Sequence, residues 1–366
     1  MTAKSRLTLD SERQYDHHDA VRVSGYTSEG ATPLRILITG GAGFIGSHVA
    51  RALAGRGDEI LILDDLSTGT RDNVEDLLTD GRTELVAGSI MDTTLVEECM
   101  GQADACFHLA AAVGVRLVVD QTLDSIRTNA LGSDIVISAA ARLGRRLLFT
   151  SSSEVYGRGE GRPLSELGSR AVGYRMHARR AYASSKMYAE SLALSCVREL
   201  GSEMVVSRLF NVVGPRQRGT YGMVLPRFVE QAMRGADLTV YGDGSQSRCF
   251  LHIADAVPAL IGLIESDPAV GEIYNVGSPK AVRIDDLARM VIERTGSSSG
   301  IRHVPFDVAY ESGFEDLEHR IPDITAVRRI LDWEPQRSLE EAIDDTCREL
   351  RPTLDTQDSQ DHDYVA

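Results

Sequence analysis

The stretch Arg35-Ile-Leu-Ile-Thr39-Gly-Gly-Ala-Gly43-Phe-Ile-Gly46 joins a short apolar run to glycines at a three-residue spacing. The run has the length and composition of a buried parallel strand, and segment 44–55, which follows, has helical spacing. Gly40 allows a tight turn, Gly43 lets the backbone approach a pyrophosphate, and Gly46 lets helix and strand pack closely. Free N–H groups at the start of such a helix bind phosphate. This stretch therefore predicts a dinucleotide site.

Further apolar runs of the same character recur along the first half of the chain. Strand-like and helical segments alternate up to Leu209, which is typical of an α/β fold with a Rossmann doubly wound parallel sheet. After Asn211 the pattern changes to loops rich in Gly, Pro and Arg between short helices. We expect a smaller C-terminal α/β lobe there that closes over the carboxyl ends of the strands and binds substrate. The predicted strands are residues 35–39, 59–64, 84–87, 105–109, 146–150 and 204–209.

These patterns divide the chain into four parts. Residues 1–33 are polar and without periodicity, so we expect a disordered extension. Residues 34–211 are expected to form the Rossmann domain, and residues 212–351 mainly the substrate-binding lobe. Residues 352–366 carry four aspartates and few large apolar groups, which predicts a disordered acidic tail. The two lobes are not expected to separate cleanly in sequence.

Composition and charge restrict the partners and the compartment. The net charge of −15 over 366 residues argues against nucleic acid or an anionic membrane as the main partner. Five cysteines occur without a CxxC pair or metal-ligand spacing, so we expect reduced thiols, a cytoplasmic protein and no metal site. The sequence contains no apolar run as long as a membrane span and no signal-peptide core at its N-terminus.

A carboxylate at the end of the second predicted strand indicates which dinucleotide binds. Asp64 lies 18 residues beyond Gly46, where its side chain can accept hydrogen bonds from both adenosine ribose hydroxyls. The same charge would repel a 2′-phosphate. We therefore expect NAD as the cofactor rather than NADP.

Three side chains predict the chemistry. Tyr182 and Lys186 are four residues apart in a helical segment, which places both on one face. A nearby ammonium lowers the pKa of a tyrosine from near 10 toward neutrality, so Tyr182 could take the proton of a sugar hydroxyl as hydride leaves the same carbon. Lys186 could also hold the nicotinamide ribose. Ser152 ends a predicted strand at the same edge of the sheet and could complete a relay with Tyr182.

The chain resembles the extended short-chain dehydrogenase/reductase family, and within it the nucleotide-sugar epimerases, dehydratases and decarboxylases. The resemblance covers roughly residues 34–345, in family order. It rests on Thr39-Gly-Gly-Ala-Gly-Phe-Ile-Gly-Ser47, Leu63-Asp-Asp-Leu-Ser-Thr-Gly69, His108-Leu-Ala-Ala111, Ser151-Ser-Ser-Glu-Val-Tyr-Gly157, Tyr182-x-x-x-Lys186, Arg208-Leu-Phe-Asn211, Ser247-Arg-Cys-Phe-Leu-His252 and Trp333-Glu-Pro335.

The resemblance implies positions for the cofactor. Phe44 and Ile45 resemble the backbone donors to the NAD pyrophosphate, and Leu109, with Ala110 and Ala111, resembles the wall near the nicotinamide. The family often has Gly-Asp-Ile where this chain has Gly88-Ser-Ile90. Ser89 and Ile90 are therefore expected beside the adenine, with Ser89 replacing the usual carboxylate.

The resemblance also implies a site for a nucleotide-sugar substrate, with a UDP-sugar favoured. Asn211 resembles the asparagine that contacts the substrate phosphates, and Arg248 resembles the arginine that grips the diphosphate. Val224, Leu225 and Tyr241 occupy positions where the family holds the nucleotide base. A homodimer is implied as well, through helices around residues 122–142 and 182–200.

The reaction after the first hydride transfer has several alternatives. A 4-epimerase needs little beyond Tyr182, Lys186 and Ser152, and we favour it, with NAD recycled through a transient 4-keto sugar. Glu154 and the segment Glu315-Asp-Leu-Glu-His-Arg320-Ile-Pro322 are similar to UDP-glucuronate decarboxylases, the leading alternative. Arg320 could hold a hexuronate carboxylate or simply a phosphate, so this similarity leaves the substrate open. Other stretches resemble NAD-dependent 4-epimerases: Arg208–Gln217, Tyr221–Pro226 and Gly313–Ile324. A 4,6-dehydratase is disfavoured because the common type has an Asp-Glu pair where this chain has Ser153-Glu154.

A protein that senses NAD without turnover is a further alternative. It would not require a tyrosine, a lysine and a serine-lined strand end together. Each motif also has a purely structural explanation. The glycine-rich loop could be only a tight turn, Ser152 could only cap a turn, and Tyr182 and Lys186 could lie on a solvated helix face. The combination of motifs favours an enzyme.

Overall fold

The computed structural model describes residues 33–114, 118, 120–157, 162–168, 178–309 and 320–363. Residues from Thr32 onward belong to one compact unit. Its centre is a seven-stranded sheet in which every neighbouring pair is parallel. The strands of this sheet are β1 (Arg35–Thr39), β2 (Glu59–Asp64), β3 (Thr83–Ala87), β4 (Ala105–His108), β5 (Arg146–Ser152), β6 (Met204–Leu209) and β11 (Ile273–Val276).

The strand order, β11-β6-β5-β4-β1-β2-β3, places β1 between β2 and β4. The chain winds outward in both directions from this point. Ligands of open α/β sheets bind at the carboxyl ends of the strands where the order reverses. The glycine-rich loop directly after Thr39 therefore lies at the expected binding edge.

Both faces of the sheet are covered, which explains the unbroken apolar runs in its strands. Ile36 and Ile38 belong to one buried cluster, whereas Leu37 belongs to the cluster on the opposite face. The helices are α1 (Phe44–Arg56), α2 (Thr93–Gly101), α3 (Thr122–Arg127), α4 (Ser133–Arg142), α5 (Ala178–Leu200), α6 (Val224–Met233), α7 (Ile253–Glu265), α8 (Ile284–Thr295), α9 (Phe306–Ala309), α10 (Thr325–Leu331) and α11 (Leu339–Asp363).

The second lobe is built from short two-stranded sheets and a separate apolar cluster. Its strands are β7 (Val212–Val213), β8 (Leu238–Tyr241), β9 (Ser247–Cys249), β10 (Leu251–His252), β12 (Ala281–Arg283) and β13 (Ile301–Val304). They pair as β7 with β10, β8 with β13 and β9 with β12. Buried residues of α6, α8 and α11 pack together in that cluster, including Phe228, Leu287 and Ile343.

The fold class and the six predicted strands of the Rossmann sheet are confirmed. The sheet has one more strand than the sequence predicted, because β11 returns from the second half of the chain and pairs with β6, Ile273 opposite Val206. Residues 34–211 therefore do not contain the whole sheet.

Disorder was expected at both ends of the chain. Residues 1–32 lie outside the described residues, so the expected disordered extension is not tested. The last helix runs from Leu339 to Asp363, which departs from the disorder expected for 352–366. The pattern that suggested disorder was the low apolar content of these residues, but a helix that begins on packed residues such as Ala342 and Ile343 can continue into a polar segment.

Among the residues described, no helix is both long and apolar enough to cross a membrane. The five cysteines are unpaired thiols, and four of them are buried.

Candidate active site

A cavity of about 840 Å³ opens at the carboxyl ends of the sheet and extends to the second lobe. The sequence-predicted residues that line it are Gly40, Gly43, Phe44, Ile45, Gly46, Asp64, Ile90, Leu109, Ala110, Ala111, Ser152, Glu154, Tyr182, Lys186, Asn211, Val224, Leu225, Tyr241, Arg248 and Arg320. Residues far apart in the sequence are thus brought to one continuous space.

The glycine-rich loop has no room for side chains at two of its positions. Gly40 has φ +71°, and a Cβ there would lie 2.7 Å from Cα of Ala110. A Cβ on Gly46 would lie 2.2 Å from the carbonyl oxygen of Gly40. Gly43 stands at the N-terminal cap of α1 and uses no side chain to cap it. The first N–H groups of α1 thus remain available to a phosphate at the cavity.

The Asp64 carboxylate lies at the end of β2 and is tied to the glycine-rich loop. Its oxygens accept hydrogen bonds from the backbone N–H groups of Ala42, at 2.9 Å, and Leu66, at 2.8 Å. Burial raises the pKa of Asp64, and these two hydrogen bonds oppose the shift. The side chain remains on the cavity wall, where the adenosine ribose of a dinucleotide would bind.

Ser89 is the one predicted cofactor residue that does not line the cavity, although its neighbours Gly88 and Ile90 do. Its hydroxyl oxygen accepts a hydrogen bond from the Met91 N–H at 3.2 Å. Ser89 therefore stabilises the turn before α2, and its expected place beside the adenine stays a prediction.

The side chains of Tyr182 and Ser152 lie close together on the wall of the cavity. Ser152 ends β5, and Tyr182 lies in the first turns of α5, which packs against that strand. The Ser152 side chain is hydrogen-bonded to Tyr182, and it also accepts from the Glu154 N–H at 3.2 Å. The two side chains are thus placed as the predicted relay requires, and the relay itself stays a prediction.

Lys186 lies one turn beyond Tyr182 and is almost completely buried. Its Nζ donates to the carbonyl oxygen of Thr150 at 3.0 Å and lies 4.8 Å from the ring centre of Phe149. Burial lowers the pKa of Lys186 to about 7, and the charge of Glu190 partly opposes this.

The pKa of Tyr182 differs from the expectation. Burial raises the pKa of Tyr182 above the ordinary tyrosine value and the charge of Glu154 adds to this, while the hydrogen bond with Ser152 and the charge of Arg320 act to lower it. The Lys186 ammonium donates to the Thr150 carbonyl oxygen and is not among the groups that lower the pKa of Tyr182. Spacing placed the two side chains on one helix face correctly but did not reveal the desolvation that both experience.

An ion pair, Arg320 with Glu154, lies beside Tyr182. Nη1 of Arg320 donates to Oε1 of Glu154 at 2.8 Å and to the Ser153 hydroxyl at 3.3 Å. The Arg320 side chain is 5% exposed and that of Glu154 is 17% exposed. Nε of Arg320 is buried without a hydrogen-bond partner among the described residues. Arg320 thus lines the same cavity as Tyr182, close enough for its charge to act on that side chain.

The predicted substrate residues lie at the far end of the cavity, in the second lobe. Arg248 is buried on β9, and Nδ2 of Asn211 donates to the carbonyl oxygen of Cys249 at 3.0 Å. Tyr241 ends β8, while Val224 begins α6. Leu225 differs from these, because its side chain is completely buried in the cluster of the second lobe.

Sequence reasoning missed further cations that line the cavity. Arg216 and Arg218 line the cavity from the loop after β7, and Nη1 of Arg216 is buried with no partner among the described residues. Arg227 also lines it, with its guanidinium 4.3 Å from the ring centre of Tyr241. The cluster Arg216-Gln-Arg218 was the available signal, although loop composition alone did not show which side chains face inward.

The fold and the site define the class of Rossmann enzymes that use NAD on nucleotide sugars, and comparison with known proteins is consistent with this. The model of the NAD dependent epimerase/dehydratase family matches residues 36–277. The chain belongs to this family. NAD is its cofactor, and the residues present fit it: a glycine loop that tolerates no Cβ, a helix N-terminus and the Asp64 carboxylate.

The chain is similar to curated proteins of known activity over most of its length. It is 39% identical over 318 residues to the UDP-N-acetyl-alpha-D-glucosaminuronate decarboxylase of Bacillus cytotoxicus, which covers 87% of this chain and 98% of the relative. It is 35% identical over 332 residues to the UDP-glucuronic acid decarboxylase 1 of Arabidopsis thaliana. That match covers 90% of this chain and 72% of the relative.

Among solved structures, it is similar to the UDP-glucose 4-epimerase of Thermotoga maritima with UDP-glucose. The TM-score is 0.79 at 29% identity, and the match covers 88% of this chain and 100% of that one. Epimerases and decarboxylases thus share this fold, and the fold alone does not separate the two reactions.

Proposed function

We propose that the protein is an NAD-dependent decarboxylase of a UDP-hexuronic acid, with UDP-N-acetylglucosaminuronate or UDP-glucuronate as substrate. The observation that carries this proposal is the Arg320–Glu154 pair beside Tyr182, because an arginine is suited to hold the carboxylate that distinguishes a hexuronate from a neutral sugar. The similarity to two decarboxylases supports the same substrate class.

The reaction begins with oxidation at C4 of the sugar. NAD held by the glycine-rich loop and Asp64 would supply the acceptor for the C4 hydride. Tyr182 takes the proton of the C4 hydroxyl, and Ser152, hydrogen-bonded to Tyr182, holds that hydroxyl in line. Because burial raises the pKa of Tyr182, the residue needs added positive charge nearby to act as a base near neutral pH. The guanidinium of Arg320 supplies charge of that sign.

A C4 ketone makes the sugar a β-keto acid. The C5–C6 bond then breaks, CO2 leaves, and the bonding electron pair forms an enolate between C5 and C4. A proton is added at C5, the hydride returns to C4, and Tyr182 gives its proton back to the C4 oxygen. The sum is a UDP-hexuronate and one proton converted to a UDP-pentose and CO2, with the cofactor unchanged.

Arg320 orients the carboxylate during this sequence. Its guanidinium bonds to Glu154 and Ser153 through a single nitrogen. A bound carboxylate can take the remaining donors in the bidentate geometry that arginine favours. The hydrogen bond from Arg320 to Glu154 can remain in place while the carboxylate is bound, so that Glu154 keeps the guanidinium in position.

Incubation with UDP-glucuronate and UDP-N-acetylglucosaminuronate, followed by mass spectrometry and NMR, tests the proposal. We expect loss of the mass of CO2 from at least one of them. An isomer of unchanged mass would contradict decarboxylation and indicate the second candidate, a 4-epimerase. That candidate is favoured by the Tyr182, Ser152 and Lys186 arrangement, which suffices for epimerisation, and by the structural similarity to a 4-epimerase.

We also propose that the protein is a homodimer. Leu123, Leu131 and Leu200 are exposed on the helical layer formed by α3, α4 and α5, each with more than half of its surface accessible. A second copy of the chain, packed on the same helices, would remove these apolar groups from water. The buried, unpaired thiols support a reducing compartment, and we propose the cytoplasm.

A further inference from the structure

A buried asparagine connects the two chain segments that carry the charged pair. Asn275 lies on β11 and is fully buried. Its Oδ1 accepts from the Tyr156 hydroxyl at 2.7 Å, and Tyr156 lies two residues after Glu154. Its Nδ2 donates to the carbonyl oxygen of Asp323 at 3.1 Å, three residues after Arg320. One amide side chain thus bonds to both segments.

The Arg320 segment is hydrogen-bonded to this asparagine and to Leu164. Nδ2 of Asn275 also donates to the carbonyl oxygen of Leu164 at 2.8 Å. Leu164 in turn bonds to the backbone on both sides of Pro322, through Ile321 and Asp323. The backbone N–H of Asn275 donates to Oε1 of Glu166 at 2.8 Å.

Tyr156, the other hydrogen-bond partner of the Asn275 side chain, lies against a buried ion pair. Arg208 and Glu190 form a two-contact ion pair with no exposed surface, at 2.8 and 2.7 Å. The Arg208 guanidinium lies 4.7 Å from the ring centre of Tyr156. Glu190 is on α5, one turn beyond Lys186. Tyr156 is therefore fixed to the helix that carries the catalytic pair, and Asn275 connects the Arg320 segment to it.

The two carbonyl acceptors determine which way the amide faces. A carbonyl oxygen can only accept, so the two carbonyls of Leu164 and Asp323 require Nδ2 on their side. Oδ1 is then directed at Tyr156, whose hydroxyl donates to it. An aspartate at this position has the same shape but no donor for either carbonyl, and a phenylalanine at Tyr156 removes only the other contact.

From these contacts we infer that Asn275 is a positioning residue that sets the separation of Arg320 and Glu154, and so determines how strongly the site prefers a hexuronate over a neutral sugar. This inference rests on the proposed function. Asn275 itself does not line the cavity. It acts through the backbone at Asp323 and through Tyr156.

The test is a ratio of two dissociation constants, for UDP-glucose and for UDP-glucuronate, measured calorimetrically on NAD-loaded protein. A Tyr182→Phe background prevents turnover. We expect Asn275→Asp to lower the preference for UDP-glucuronate by about tenfold, and Tyr156→Phe to lower it less, since fewer hydrogen bonds are lost. Arg320→Lys provides the benchmark for direct loss of the carboxylate contact.

A merely structural role would weaken both ligands equally and leave the ratio unchanged, and that result would overturn the inference. Thr346→Ala is the matched control, because it removes a buried hydrogen bond to Ala342 on α11, distant in the fold from β11, and should leave the ratio unchanged. If the background protein binds neither UDP-glucuronate nor UDP-N-acetylglucosaminuronate more tightly than UDP-glucose, the proposed function fails. If it does prefer UDP-glucuronate and only the Arg320 variant loses this, the inference about Asn275 fails alone.

Discussion

Arg320 and Glu154 are 166 residues apart in the sequence, yet Nη1 of the first lies 2.8 Å from Oε1 of the second. Both side chains are largely withdrawn from water. Removing one partner of such a pair leaves a buried charge uncompensated, whereas removing both costs much less. The pair is therefore suited to a double-mutant cycle.

We expect Arg320→Met to lower both the unfolding free energy and the turnover of UDP-hexuronates. The double variant Arg320→Met/Glu154→Gln should recover part of the stability, with a coupling of about 1–3 kcal/mol, but none of the hexuronate turnover. Chemical denaturation and steady-state kinetics of the four proteins measure this. Additive stability effects would contradict the ion pair.

Tyr182→Phe removes the group that exchanges a proton with the C4 hydroxyl. We expect kcat to fall by about 10²–10⁴-fold with NAD still bound, since general acid–base catalysis contributes about that much. Tyr188→Phe, on the same helix, is the control: its hydroxyl bonds to Asp134 on the exposed side of α5. Comparable losses in the two variants would argue against a catalytic role for Tyr182.

Gly46→Ala tests the glycine-rich loop. The new Cβ would meet the Gly40 carbonyl oxygen and Cα of Gly41, so we expect a stability cost of about 1–3 kcal/mol and weak NAD binding. Gly55→Ala in the same helix meets nothing within 4 Å. That variant should gain up to about 1 kcal/mol from helix propensity and bind NAD normally. Isothermal calorimetry with NAD and thermal unfolding distinguish the two, and normal NAD binding by Gly46→Ala would be the contrary result.

Lys186 predicts a pH dependence of stability in the cofactor-free protein. Its pKa is about 7 when folded, against about 10.4 in an unfolded chain. Between these values the unfolded state holds more protons, so stability increases with pH, by up to about 1.4 kcal/mol per unit for one group. The unfolding free energy of wild type minus that of Lys186→Met should thus increase from pH 7 to pH 9. A constant difference would show that Lys186 titrates normally.

Leu131→Glu tests the proposed homodimer. Leu131 lies between α3 and α4, and half of its surface is exposed. A carboxylate there would be buried without a partner in the dimer, so we expect monomers by analytical ultracentrifugation. Leu167→Glu, at a 98% exposed leucine in the segment 162–168, is the control and should remain dimeric. A monomeric wild type would reject the proposal.

Local patterns predicted the first six strands of the sheet and the dinucleotide edge, because their signals lie within short stretches of sequence. The run before Gly40 and the spacing of Tyr182 and Lys186 are examples. β11 was not assigned to the sheet since its pairing with β6 depends on contacts across some 70 residues. The extra helical turns of α11 were missed for a similar reason: propensity and composition do not include the packing of the preceding turns.

The site was predicted residue by residue better than its electrostatics were. The motifs brought Tyr182, Ser152 and Arg320 to one cavity, as expected. Burial, however, is a property of the assembled structure, and it reverses the expected pKa shift of Tyr182. The use of Ser89 in a local turn and the inward direction of Arg216 were equally hidden, because both depend on loop geometry.

The return of β11 to the sheet also has a consequence for synthesis of the protein. The ribosome must translate Val276 before the edge of the Rossmann sheet beside β6 can be covered, although the dinucleotide loop is complete some 230 residues earlier. During synthesis, the edge of β6 in the NAD-binding half therefore stays unpaired until the chain through β11 has left the ribosome. Exchange of that lobe between relatives, as a recombination event or by design, would have to carry β11 with it or leave the edge unpaired.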